Sequence, residues 1–97
     1  MKVTVRYHAQ LRQAAGRTWE VVDLPEGMSL KGLLLWLAER NGSLGALLLE
    51  EDGRIDPSLL MFVGERQARG EEFLHEGDEV LLLTPIAGGA PCPADGR

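Results

Sequence analysis

Between residues 29 and 42 the sequence reads SLKGLLLWLAERNG, the one stretch both long and periodic enough to build a substantial helix. Leu30, Leu33, Leu34 and Leu37 recur at i, i+3, i+4 and i+7 and so share one helical face. Ser29 stands where an N-cap belongs, its hydroxyl able to accept from a free backbone N–H of the first turn, and Asn41-Gly42 is expected to supply the C-terminal stop. Burying these leucines contributes roughly 6–12 kcal/mol in transfer terms, before chain entropy is set against it. Gly32 inside the helix costs about 1 kcal/mol relative to alanine. With one such helix available, a sheet made by the rest of the chain has one face covered and a second to account for.

The segments around the helix read as strands. KVTVRYH (2–8) sets Val3, Val5 and Tyr7 on one face and Thr4, Arg6 and His8 on the other, a period of two. AQLRQAAG (9–16) forms a helical turn or loop ending at Gly16, and TWEVVDL (18–24), rich in β-branched and aromatic residues, reads as a second strand paired with the first. PEG (25–27) breaks it. Beyond the helix, SLGALLLEEDG (43–53) reads as a short second helix or helical turn, and Gly53, Asp56 and Pro57 mark a loop. SLLMFV (58–63) is a third strand, and Gly64-Glu65 forms a tight turn in which glycine supplies positive φ. Gln67 and Ala68 make a short returning edge strand, and EVLLLT (79–84) is the final strand, closed by Pro85. The order of elements is that of an α+β domain.

Composition narrows the function. The chain of 97 residues makes one small domain, 44% hydrophobic and 26% charged. No apolar run approaches the roughly 20 residues of a membrane helix, and the N-terminus alternates instead of forming a signal segment. A cytoplasmic protein without a membrane partner is expected. The net charge is −5, with acid gathered in EEDG (50–53), GEEF (70–73) and EGDE (76–79). Nucleic-acid binders need a basic patch, so nucleic acid is excluded as a partner. The acid suits either a basic partner surface or simple solubility. One cysteine, Cys92, rules out an internal disulfide, and with only His8 and His75 beside it no zinc spacing exists, so no metal site is expected.

A self-contained active site is not expected either. Ser29 is accounted for as a cap and has no G-x-S-x-G around it. His8 lies on the polar face of a strand and His75 in an acidic turn, and GGAPCPADG lacks the Lys and Ser/Thr of a phosphate loop. The last strand carries apolar residues on both faces, Val80 and Leu82 on one, Leu81 and Leu83 on the other. The face without a helix calls for a protein partner, the alternative being that SLGALLLE or the tail folds over it. Among 12 glycines one adjacent pair is expected by chance, so the position of Gly88-Gly89 says more than its presence. It is separated from the last strand by PIA, and the residues after it, APCPADGR, contain nothing that could offset the cost of ordering, so a disordered tail is expected.

The stretch EGDEVLLLTPIAGG (76–89) closely resembles the C-terminus of the MoaD/ThiS ubiquitin-like sulfur carriers, and within that family it looks most like the small subunit of molybdopterin synthase. The resemblance extends through MFVGER, SLKGLLLWLAERNG and VRYHAQLRQAAG, and covers residues 1–89. It implies a β-grasp fold, a mixed sheet wrapping one main helix with the first and last strands parallel, over residues 1–87, followed by a flexible arm of residues 88–97. It also implies a function. The terminal carboxylate of Gly89 would be adenylated by a ubiquitin-activating-type enzyme using ATP, with no cofactor bound by the carrier itself, and sulfur would then replace AMP to give a thiocarboxylate. Gly88 and Gly89 would thread the arm into the large synthase subunit, where the lack of Cβ permits close approach. Leu81, Leu83 and His8, with Pro85 and Ile86, would be the docking surface for both partners.

Two features depart from the family. VGER stands where Val-Asn-Gly is common, a change of local turn geometry, and Gly89 is followed by eight residues, so that its carbonyl is an amide. Either a protease removes residues 90–97, leaving a mature form without cysteine, or the tail is permanent and the protein is a non-carrier β-grasp interaction module. Cys92 as a working thiol is a third reading, against which Asp95 would raise its pKa. A ubiquitin-like modifier, joined through Gly89 to lysines of other proteins, belongs to another class again. Molybdopterin, thiazole and tRNA are alternative destinations for the sulfur, and length and TPIAGG favour the first.

Overall fold

A computed structural model describes residues 1–84. Pro85, Ile86, Gly88, Gly89, Cys92 and the expected boundary between residues 87 and 88 lie outside the described residues. The elements are β1 (Lys2–Tyr7), α1 (Gln10–Ala15), β2 (Trp19–Asp23), α2 (Leu30–Arg40), α3 (Gly42–Leu48), β3 (Leu60–Val63), β4 (Arg66–Gln67) and β5 (Glu79–Leu83). They form a five-stranded sheet in the order β2-β1-β5-β3-β4. β1 and β5 run parallel in its middle, Val5 opposite Val80 and Tyr7 opposite Leu82, and the remaining pairs are antiparallel. A parallel pair needs a long crossover, and here the whole of α2, α3, β3 and β4 lies between the two strands.

The core is where the period of two meets the helical stripe. Val3, Val5 and Tyr7 of β1, Val22 of β2, Met61 of β3, and Val80 and Leu82 of β5 are buried against Leu30, Leu33, Leu34 and Leu37 of α2. The four α2 leucines are at most 2% exposed, as their spacing predicts. Ser29 caps α2 as expected, its Oγ accepting from the Gly32 N–H at 3.1 Å. Gly32 has a packing reason to be glycine, because a Cβ there would stand 2.8 Å from the Met28 Cγ.

The other end of α2 stops where expected, with Asn41 as its C-cap, but not by a glycine turn. Gly42 does not stop the helix in a left-handed turn; it is the first residue of α3. Asn41 is extended, with φ −148°, and serves both helices: its N–H donates to the Leu37 carbonyl while its Oδ1 accepts from the Leu44 N–H at 3.2 Å. Its amide also donates to the Ala14 carbonyl at 3.1 Å, tying α1 to the junction. The strands begin later or end earlier than their apolar runs, at Leu60 for β3 and Leu83 for β5, because pairing stops there. Gly64 supplies the expected positive φ of 64° between β3 and β4. Ala9, at φ 54°, is the one non-glycine residue among those described with positive φ, and it marks the sharp change from β1 to α1.

Candidate docking face and the approach to the C-terminal arm

Strand register decides which residues share the face turned away from the helices. Arg6 stands opposite Leu81, which stands opposite Phe62; Leu83 stands opposite Leu60. On the other side of β1, Arg6 faces Trp19 and Thr4 faces Val21. Side chains opposite one another point to the same face, so Trp19, Val21, Thr4, Arg6, Leu81, Leu83, Phe62 and Leu60 form one surface. Leu81, Leu83, Leu60 and Phe62 are only partly covered, whereas Trp19 and Val21 are 54% and 52% exposed. An ion pair of Arg6 and Glu79 crosses this surface between the two apolar groups.

Of the expected face residues, Leu81, Leu83 and His8 are brought together, while Pro85 and Ile86 lie outside the described residues. The ladder runs one step past β1, the His8 N–H donating to the Leu82 carbonyl at 3.2 Å, which continues the register to His8 beside Leu83. His8 is exposed there. His75 is exposed as well, with its backbone N–H donating to the Asp78 carboxylate at 2.8 Å. The alternative in which SLGALLLE covers the face is overturned: α3 packs against α1 and α2 on the opposite side, with Leu44 and Leu48 in the common core. Trp19, Val21, Leu60 and Phe62 were not singled out from sequence, since the period of two assigns residues to faces but only the register places strands side by side.

Away from this face lie two depressions. A cavity of about 190 Å³ is lined by Ala15, Arg17, Glu20, Leu37, Arg40, Asn41 and Leu44. Its wall is a polar network. The buried Tyr7 hydroxyl donates to Glu20 Oε2 at 2.5 Å, while Arg17 and Arg40 approach Oε1 at 3.5 and 3.6 Å. Arg40 lies over the Trp36 ring at 4.5 Å. Burial, then the hydrogen bond to Glu20, hold the Tyr7 hydroxyl well above the ordinary tyrosine pKa. The groups satisfy one another, so the network reads as structural. The second depression, about 430 Å³ and open, is lined by Ser29, Lys31, Arg54, Ile55, Gly70 and Glu71. Among the described residues no group of three His, Cys, Asp or Glu could hold a metal ion, and no helix is long and apolar enough to cross a membrane.

A mixed sheet with a central parallel pair of first and last strands, wrapped on one face by a main helix, defines a β-grasp, ubiquitin-like domain. The chain belongs to the ThiS family, the ubiquitin-like sulfur carriers, whose model matches residues 5–89 and so ends on the second glycine of Gly88-Gly89. Its fold is that of SAMP1 from Haloferax volcanii, with a TM-score of 0.84 at 22% identity over 92% of this chain and 100% of that one. It is also similar to a putative molybdopterin converting factor, subunit 1, from Pyrococcus furiosus, at 29% identity and TM-score 0.74, covering 89% of this chain and 99% of that one. The Amycolatopsis orientalis BexX/CysO complex contains a further likeness, at 21% identity and TM-score 0.68 over 90% of this chain and 99% of the other. A search of curated proteins gives no match.

Proposed function

We propose that the chain is a sulfur carrier of the molybdopterin synthase small-subunit type, acting as a substrate for other enzymes. The observation that carries this reading is the family match ending at Gly89, reached through β5, which lies in the middle of an apolar face that no described element covers. A protease first removes residues 90–97 and so frees the Gly89 carboxylate. A carboxylate oxygen then attacks the α-phosphorus of ATP on a ubiquitin-activating-type enzyme and pyrophosphate leaves. Hydrosulfide then attacks the acyl carbon, AMP departs with the acyl-oxygen bonding pair, and loss of the S–H proton leaves the thiocarboxylate. ATP belongs to the activating enzyme, and cytoplasm is the compartment that supplies both. Leu81, Leu83 and His8, with Pro85 and Ile86, dock the domain on that enzyme and on the large synthase subunit, while Gly88 and Gly89 enter each active site. The likeness to the Pyrococcus furiosus protein supports molybdopterin over thiazole or tRNA as destination.

The test is the intact mass of the protein isolated from its own organism, before and after thiol alkylation. A chain ending at Gly89, with a fraction heavier by sulfur in place of oxygen that takes up the alkylating agent, is the expected result. A mass that always includes residues 90–97, alkylated only at Cys92, overturns the carrier reading and leaves an interaction module. Heavier species joined through Gly89 to lysines of other proteins, seen on a denaturing gel, would mark a modifier instead.

A further inference from the structure

The two edges of the sheet are built differently. β4 is two residues long, Arg66 and Gln67, both polar and exposed, which is one way a sheet avoids adding a further strand. β2 has five residues, WEVVD, with no proline, glycine or lysine among them. Its backbone has a free side. The Tyr7 N–H donates to the Thr18 carbonyl and the Leu24 N–H to the Met1 carbonyl, so in this antiparallel register Thr18, Glu20, Val22 and Leu24 turn their backbone groups toward β1. Trp19, Val21 and Asp23 turn theirs outward. Of the four exposed large hydrophobic residues among those described, two, Trp19 and Val21, stand on this one strand and on the same face.

We infer that β2 pairs antiparallel with β2 of a second copy of this chain, about a two-fold axis through Glu20. In that register each Trp19 lies across from the partner's Val21, both with backbone groups facing the joint. Arg17 at one end of the strand lies across from the partner's Asp23, and the symmetry repeats both contacts. Charge selects this register. One step along, with Val21 on the axis, Trp19 would face the partner's Asp23 and Arg17 the partner's Pro25. Asp23 is 76% exposed and lies 3.6 Å from the terminal amine; Arg17, just before β2 and 55% exposed, turns toward Glu20 at 3.5 Å in the single chain and exchanges that long contact for the partner's Asp23 in the dimer. The Glu20 carboxylates nearest the axis point inward, 12% exposed, each held by its own Tyr7 and Arg40. The joined sheet has ten strands, and β5 with Leu81 and Leu83 stays two strands in from the joint, free for other partners.

Sedimentation equilibrium of the full chain from micromolar to millimolar concentration tests this, and a monomer–dimer equilibrium is expected. Asp23→Arg, which sets arginine against arginine, should remain monomeric throughout, and Arg17→Asp combined with Asp23→Arg should restore the dimer. Hydrogen exchange on the unaltered chain provides a second measurement: amides of Trp19, Val21 and Asp23 should gain protection as concentration rises. A monomer at millimolar concentration overturns the inference. So does a dimer that Asp23→Arg leaves intact, a charge swap that fails to restore pairing, or a dimer in which those three amides exchange as in the monomer.

Discussion

Replacing Tyr7 by phenylalanine removes one oxygen from the polar network behind the sheet, and the consequence can be followed with pH. The hydroxyl sits on a residue with no exposed surface and donates to the Glu20 carboxylate at 2.5 Å. A hydrogen bond to a charged acceptor has a net worth of about 1.5–3 kcal/mol, so Tyr7→Phe should lose about that much stability at neutral pH. Burial, then Glu20, raise the folded-state pKa above the ordinary 10.0, with Arg40 and Arg17 opposing more weakly. Above pH 10 the unfolded chain therefore releases this proton while the folded chain keeps it. The stabilisation is complete below that pH and is lost as pH rises, at about 1.4 kcal/mol per pH unit.

Urea unfolding of both proteins between pH 7 and 11 measures the effect, since every other titrating group is common to the pair and cancels in the difference. The lead of the tyrosine protein should be constant to about pH 10 and about 1.4 kcal/mol smaller at pH 11. A lead that stays flat between pH 9 and 11 would refute a buried, proton-retaining Tyr7. Equal stability at pH 7 would refute the hydrogen bond to Glu20.

Other perturbations separate local effects. Ser29→Ala removes the acceptor for the Gly32 N–H and should cost about 1 kcal/mol in urea unfolding without altering the folded spectrum. Gly42→Ala, at an open helical position with ordinary φ, should stabilise by about 0.4–1 kcal/mol. Gly45→Ala should instead destabilise by about 1–3 kcal/mol, because its Cβ would lie 2.7 Å from the Ala38 Cβ; a gain in melting temperature would show that α2 and α3 are not closely packed. If the docking proposed above holds, Leu81→Glu leaves the fold intact by circular dichroism and weakens a complex with the proposed adenylating enzyme at least tenfold, about 1.4 kcal/mol, in titration calorimetry.

The elements and the faces were legible in the sequence because both rest on local periodicity. Four leucines at helical spacing behind a serine cap define α2, and alternation in KVTVRYH puts Val3, Val5 and Tyr7 in the core. Asn41 is the end of α2, as its place before Gly42 implies, but its second role was not legible: the same residue caps α3, which asparagine before glycine does not announce. The tie from Asn41 to Ala14, 27 residues away, is a tertiary contact with no local trace. The outer face was half legible. Leu81 and Leu83 announce themselves on a strand apolar on both sides, but Phe62 and Leu60 become their neighbours only through the antiparallel register of β3 on β5. Glu20 belongs to the same category, an acidic residue in an apolar strand whose buried partner, Tyr7, becomes its neighbour across the β1–β2 pairing.

Placing α3 on the helix side also determines what a partner must offer. Leu44 and Leu48 join the core, and Gly45 lets α3 approach Ala38, so the chain has used its spare helix on the face already covered. The outer surface that no described element covers is not uniformly apolar. The Arg6–Glu79 pair, each side chain 48% exposed, divides Leu81, Leu83, Phe62 and Leu60 from Trp19 and Val21. Covering both apolar groups with one greasy surface would desolvate that pair without new hydrogen bonds, a cost that its own attraction does not offset. A partner that seals the β5 side alone leaves the pair at a wet rim, where it contributes orientation and association rate more than affinity. Arg6→Ala should therefore slow association with the adenylating enzyme proposed as partner and reduce its salt dependence while changing dissociation little; a change confined to dissociation would mean that the pair is buried in the complex and that the partner extends over Trp19 as well.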